Sequence, residues 1–447
     1  MQDCTARAPD FGRPALSPAF LEYPSKLFVE TTSRCNLSCA MCMKQNPVGG
    51  RGGEGDLDLS SFGALEGALP NLDALVLNGV GEPLMNRRLE QFIGRARKQM
   101  REGSWIGFQS NGLLLTNLRA ISLLDAGVDR ICLSMDGVDA TTFGAIRSGS
   151  QMLDLEHALG SLVAAKRVCA RPEMEIGVEF VVMRDNLSQL PAALDWAASR
   201  GAGFAIVSHL HPFDEPHQEL CSYHLCTDGA ISLFQNWSIK ADLKGLDIAR
   251  YFEILWNYRK TSEERRIVAF VAAMKEDARA RGITLDLKKL FKMDGTRLAE
   301  SQEVFEEASL VARRSGLDLR LPEIARREMR GCDFIEQGSA FISWDGAMHP
   351  CYHLWHQCRS FANGWPHPVR PRVFGNVKER EVLDIWNSAE FLQYRENVLR
   401  HDYPSCSECN SSPCDLVQQE EFLQDCYLNA EPCGSCLWSS GVFRCLD

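Results

Sequence analysis

The 447-residue chain has no apolar run approaching the ~18 residues a membrane-spanning helix needs, and residues 1–10 contain no apolar signal core. These absences predict a cytoplasmic protein with no membrane partner. A basic excess is missing as well: 48 Lys and Arg stand against 59 Asp and Glu, a net charge of −11. Nucleic acid is therefore not expected as a main partner, because phosphate binding needs a basic face. Without a secretion signal, the 18 cysteines point to metal rather than to disulfides. Hydrophobic content of 45% and charged content of 24% are ordinary for a folded chain, and the length suits a barrel-sized domain plus a second one.

What the chain does have is a cysteine triple, Cys35, Cys39 and Cys42, spaced Cys-x3-Cys-x2-Cys. Thiolates gathered on one short loop form an iron–sulfur nest, and three of them leave one iron of a [4Fe–4S] cluster without a protein ligand. Zinc is the competing reading, but structural zinc normally takes four ligands in paired Cys-x2-Cys spacing. Around the triple, short β-branched runs alternate with helical patterns, the sign of a parallel sheet with crossover helices. Strands are predicted at 27–31, 74–78, 105–109, 130–134, 175–182 and 204–207, and helices at 58–69, 87–101, 116–126, 153–169 and 187–200. Unusual residues follow successive strands, where parallel barrels place their active sites. They are Asn78-Gly79-Val80-Gly81-Glu82-Pro83, then Ser110-Asn111-Gly112, then Ser134-Met135-Asp136-Gly137, with Arg147 farther on. Taken singly, each reads equally as a turn or a helix-end arginine.

Together these features resemble the radical S-adenosylmethionine (SAM) superfamily. The resemblance implies an α/β fold built on a partial (β/α)6 barrel, with Cys35, Cys39 and Cys42 holding a [4Fe–4S] cluster whose open iron takes SAM. It implies further that Met41 lies near the adenine and that Gly81, Glu82 and Pro83 form the segment receiving the SAM ammonium, Val80 replacing the first of the family's paired glycines. Ser110 and Asn111 occupy the polar position after the third strand, Ser134 and Asp136 the ribose position, and Arg147 a place from which it can pair with the SAM carboxylate.

Ten more cysteines crowd the region from Cys332 to Cys445. The stretch from Cys332 through Gly346 to Cys351 resembles the opening of the SPASM domain, the auxiliary iron–sulfur extension of many radical SAM maturases, with Trp344-Asp345-Gly346 as a hairpin turn. By that resemblance Cys332 and Cys351 belong to a first auxiliary cluster, and Cys406, Cys409 and Cys414 to a second. Cys426, Cys433, Cys436 and Cys445 are candidate ligands whose distribution the spacing leaves open, and Cys358 is either a ligand or a bystander. Eight thiolates suffice for two fully ligated clusters, so three [4Fe–4S] clusters are expected in the chain. A pair of zinc ribbons is the competing reading.

The expected organisation is an N-terminal extension (1–24), a core barrel (25–210), a helical insertion (211–297), a returning helix and strand (298–331) and the Cys-rich domain (332–447). In the insertion, aromatic residues such as Trp237 and Trp256 fall at helical spacing, which suits a core as well as a docking face for a protein or peptide. The resemblance implies an enzyme that cleaves SAM to a 5′-deoxyadenosyl radical, with flavodoxin or ferredoxin as reductant. The ending from Asp425 looks most like a branch that matures metalloenzymes, tungsten-cofactor oxidoreductases among them. Modification of a ribosomal peptide is the alternative, and few residues precede the first strand to recognise such a peptide. Sulfatase maturation fits less well, because Tyr352 stands where that relative carries an acidic base. A non-catalytic iron–sulfur electron carrier is the opposing class, one with no use for Glu82, Ser134 or Asp136.

Overall fold

The computed structural model describes residues 17–46, 53–409 and 411–446; Cys4 and most of the expected N-terminal extension lie outside them. Six strands, β1 (Lys26–Val29), β2 (Ala74–Val76), β3 (Trp105–Ser110), β4 (Arg130–Ser134), β5 (Glu175–Val182) and β6 (Phe204–His209), follow one another through a single sheet, each parallel to the next. Their C-terminal ends therefore share one edge, and the loops that carry the unusual residues are gathered there. Between strands the chain forms helices for reasons visible in the sequence. The helix Leu89–Arg97 buries Leu89, Phe92, Ile93 and Ala96 while Gln91 and Arg95 remain exposed, the pattern of one apolar stripe on a 3.6-residue repeat. Each large side chain so buried contributes roughly 1.5–3 kcal/mol. The helix Asn117–Ala126 begins where the Thr116 side chain accepts from the Arg119 amide and ends at Gly127 in the left-handed region.

A helical insertion separates β6 from the return to the sheet. It contains β7 (His224–Thr227) and the helices Asp228–Leu243, Tyr251–Leu255, Ser262–Ala280 and Leu287–Phe291, which close on a core of their own around Ile231, Phe234, Ile267, Phe270 and Met274. After Gly282 the chain enters the helix Leu287–Phe291, started by the Asp286 side chain accepting from the Lys289 amide. Trp237 is half-buried, edge-on to Phe270 at 5.0 Å, and its Nε1 donates to Asp277 Oδ2 at 2.8 Å, so it holds two helices together. Trp256, in contrast, is 86% exposed.

The chain then returns to the main sheet. β8 (Asp318–Arg320), after the long helix Gly295–Ser315, pairs in parallel with β6, while β9 (Ala325–Arg326) pairs with β7 in a small separate sheet. The Cys-rich region then does something local patterns do not announce. β10 (Ser339–Ile342) adds in parallel to the free side of β1, with Lys26 opposite Ser339 and Val29 opposite Ile342. β11 (Ala347–His349) turns back on β10 through Gly346 at φ +90°, the hairpin expected at Trp344-Asp345-Gly346. β12 (Cys358–Ser360) and β13 (His367–Val369) pair apart, and β14 (Gly375–Asn376) completes an open sheet of order β14-β11-β10-β1-β2-β3-β4-β5-β6-β8. The main sheet thus runs across the expected boundary at 332. Phe28, Phe341, Tyr352 and Trp355 pack at the seam, with Phe341 edge-on to Trp355 at 4.4 Å. No helix among the described residues is long and apolar enough to cross a membrane.

Candidate active site

The loop after β1 carries Cys35, Cys39 and Cys42, and it is held by polar contacts from both flanks. Arg34 ion-pairs with Asp56, Thr32 Oγ1 donates to Asp56 Oδ1 at 2.6 Å, and Lys44 Nζ donates to the Ser33 carbonyl at 2.5 Å. The Cys42 amide donates to the Cys39 carbonyl at 3.0 Å, turning the loop so that its three thiols face one cavity. The glycines after β2 lie directly on this loop. A Cβ on Gly81 would stand 2.2 Å from the Thr32 carbonyl oxygen and 2.6 Å from that of Arg34, both backbone atoms, and one on Gly79 would stand 2.2 Å from Glu30 Cγ. Gly81→Ala is therefore expected to displace the cysteine loop, with iron uptake by that loop falling severalfold in a reconstitution assay at unchanged helical content. Normal uptake would show that the loop tolerates the displacement.

Glu82 is buried and fixed by three donors. Its Oε1 accepts from Ser110 Oγ at 2.8 Å and from the Leu84 amide at 3.1 Å, and its Oε2 from the Asn111 amide at 2.8 Å. Burial nevertheless holds its pKa above the ordinary carboxylate range. Pro83 opens the following turn. Asn111 Nδ2 donates to Asn36 Oδ1 at 2.8 Å and lies 4.0 Å from Cys35 Sγ. Met41, Gly81, Glu82, Ser110, Asn111, Ser134 and Arg147 all line a cavity of about 330 Å³ together with the three thiols. Asp136 does not. It is fully buried behind the wall, its Oδ1 accepting from the Val181 amide at 2.8 Å and its Oδ2 lying 2.7 Å from Arg147 Nε, an ion pair without an aligned hydrogen bond. Burial opposes the Arg147 charge, but Asp136, Cys39 and Glu179 outweigh it and leave the guanidinium above its ordinary range. Burial pushes the Cys39 thiol up to about 11 and raises Cys35 and Cys42 as well, with Arg147 opposing in each case.

Two carboxylates at or beside this cavity escape sequence reading. Glu179, in the middle of β5, is a half-buried carboxylate in an otherwise apolar run, and that interruption is the signal that could have found it. Glu30 sits at the end of β1 with no exposed side chain. It accepts from the Val80 amide at 2.9 Å and from the Trp344 amide at 3.2 Å, and His356 Nε2 lies 3.1 Å away, so one carboxylate ties the cysteine loop, the glycine loop and the Cys-rich hairpin. From the Cys-rich region Tyr352, Trp355 and Cys445 complete the wall.

The remaining late cysteines sort into two sets. Cys332, Cys351, Cys433 and Cys436 lie close enough to raise one another's pKa, on top of burial that pushes Cys351 up to about 12. Cys406 and Cys426 are raised by burial and by the neighbouring thiols Cys409 and Cys414, with burial pushing Cys406 up to about 12. Cys358, in β12, is raised by burial alone. Among the described residues no group of three or more His, Cys, Asp or Glu side chains is arranged to hold a metal ion. Zinc draws its ligands to about 2.3 Å from one centre, whereas each thiolate of a cubane sits on its own iron around a void. Three or more thiols on each of two cavities, of about 330 and 80 Å³, are a donor set that fits the cluster.

The model of an iron–sulfur cluster-binding domain, SPASM, matches residues 332–410. Over 431 residues, 94% of this chain and 96% of the relative, the sequence is 28% identical to the tungsten-containing aldehyde ferredoxin oxidoreductase cofactor-modifying protein of Pyrococcus furiosus. Along its length the chain is thus similar to radical SAM proteins that carry a SPASM domain. It is an enzyme, and residues 332–410 match a domain that binds an iron–sulfur cluster. The chain is also 25% identical to the Fe-coproporphyrin III synthase of Methanosarcina barkeri, over 85% of its length and 78% of that protein's. Among solved structures, Streptococcus suis SuiB aligns over 90% of the chain and 73% of its own, with 13% identity and a TM-score of 0.49.

Proposed function

We propose that this enzyme reductively cleaves SAM at Cys35, Cys39 and Cys42 and uses the resulting radical to modify a metallocofactor or a protein that carries one. The observation that carries this reading is the single cavity shared by the three thiols, the Glu82 loop and the ends of β3 to β5. When bound there, a [4Fe–4S] cluster with SAM supplies a 5′-deoxyadenosyl radical able to take hydrogen from an unreactive carbon. The chain's own residues do the rest. Glu82, held by Ser110 and the Asn111 amide, presents carboxylate oxygens to an ammonium, and Ser110, Asn111 and Ser134 offer hydroxyl and amide groups to the nucleoside. Met41 lies in the same wall, where its soft side chain suits an adenine face. Asp136 keeps Arg147 charged and oriented toward the cavity, so the ribose contact expected of Asp136 passes to its neighbours while Arg147 stays available to a carboxylate. The apolar seam of Phe341 and Trp355 excludes water from one side.

The two late cysteine sets would hold two fully ligated clusters, giving three per chain, and Cys445 would face the substrate instead of an auxiliary cluster. A small electron-transfer protein such as flavodoxin or ferredoxin is the matching reductant. Full-length similarity to a cofactor-modifying protein favours a metallocofactor substrate over a ribosomal peptide. Incubation of the reconstituted protein with SAM and dithionite is expected to release 5′-deoxyadenosine. Reduction of the clusters with no 5′-deoxyadenosine formed would leave an electron carrier and overturn the reading.

A further inference from the structure

A second cavity, of about 530 Å³, lies where the insertion, the core and the Cys-rich region meet. Its volume suits a small molecule, for which pockets of roughly 300–1,000 Å³ are usual. It shares no wall residue with the cavity of the cysteine loop. Its charge is opposite to that of the chain as a whole. Arg184 from the core and Lys288, Lys289, Lys292 and Arg297 from the insertion line it, against Asp286, Asp294 and Glu300. Two of those acids are already engaged, Asp286 by Lys289 at 2.7 Å and Asp294 by Arg297 at 2.9 Å. Among the described residues no ion pair takes up Arg184, Lys288 or Lys292, so the wall keeps a positive surplus in a protein of net charge −11.

The same cavity carries an aromatic donor with nothing to give to. Trp365 lines the cavity at 6% exposure, and its indole Nε1–H has no hydrogen-bond partner. A buried N–H left unpaired costs on the order of 1–3 kcal/mol, so an acceptor there would be favoured. Leu225, Leu298 and Met293 add apolar surface to the cavity lining. We propose that this cavity binds an anionic small molecule with a flat apolar body, its phosphate or carboxylate held by Lys288, Lys292 and Arg184 and its ring against Trp365. Because Cys409 is also in the wall, the bound anion would sit beside the second late cysteine set.

Flavin mononucleotide, inorganic pyrophosphate and riboflavin test this on the reconstituted protein in 0.15 M salt. Flavin mononucleotide is expected to bind once per chain with quenched fluorescence, to be displaced by pyrophosphate, and to bind at least about tenfold more tightly than uncharged riboflavin. The variant Lys288→Glu/Lys292→Glu, altered at two exposed positions, is expected to bind it at least about tenfold more weakly at unchanged melting temperature and unchanged 5′-deoxyadenosine release. Trp365→Phe, which keeps the ring and removes the donor, should weaken binding severalfold. Absence of binding by both anions, equal binding of riboflavin, or full affinity in the charge-reversed variant would overturn the proposal.

Discussion

Replacing any one of Cys35, Cys39 and Cys42 with alanine is expected to abolish 5′-deoxyadenosine formation and to remove about four of the ~12 iron atoms expected per chain. The size of the effect follows from the ligand count. A cluster with four protein thiolates can survive on three, but one that already has three has none to spare, and no His, Asp or Glu stands in the loop from Cys35 to Cys42 as a substitute. The thiols also enter the site at a cost, since burial favours their protonated forms, Cys39 up to about 11. Metal binding must displace those protons, so loading of this site is expected to improve as pH rises through 7 to 9, with the deprotonated fraction increasing toward the raised thiol range. Iron analysis and quantitation of 5′-deoxyadenosine in the three variants check the prediction. Normal cleavage in any of them would remove the cysteine loop from the chemistry.

The first half of this fold is legible because its information is local. Runs such as Glu175–Val182 announce buried strands by β-branched content, and the helix starting after Thr116 announces itself by its cap and by Gly127 at its end. All six predicted strands form within about two residues of their expected ends. The glycine–glutamate loop, the serine–asparagine pair and the cysteines converge because consecutive parallel strands deliver their C-terminal ends to one edge. Legibility fails where the deciding contact is distant. The pairing of Lys26 with Ser339 joins segments over three hundred residues apart, and nothing in either tetrapeptide specifies the other. Glu30 has the same character, since its partners Val80, Trp344 and His356 come from three regions. Asp136 and Arg147 are both found from sequence, but that they would be spent on each other is visible only once the α/β loop brings Arg147 back. In the insertion, helical spacing of aromatics cannot say which side faces out. Trp237 faces Phe270 and Asp277, whereas Trp256 faces solvent.

The late cysteines show the same limit and yield the second large effect. Spacing pairs Cys433 with Cys436 but cannot say which cluster they serve. In the structure they lie with Cys332 and Cys351, while Cys426 goes with Cys406, Cys409 and Cys414, and Cys445 borders two cavities, the one that holds Cys35, Cys39 and Cys42 and the small one lined by Cys332, Cys351 and Cys436. Cys433→Ala is therefore expected to lose up to about four iron atoms, and Cys445→Ala none. Cys406→Ala and Cys409→Ala are expected to continue releasing 5′-deoxyadenosine without substrate while losing product altogether, because that set lies apart from the cavity in which the radical is made. The two readouts separate the roles: iron content reports ligation, and the ratio of product to 5′-deoxyadenosine reports whether the radical's electron has somewhere to go. Loss of a cluster's iron from Cys445→Ala would return that residue to the ligand set. Full product yield from Cys406→Ala would make the second auxiliary cluster a structural one.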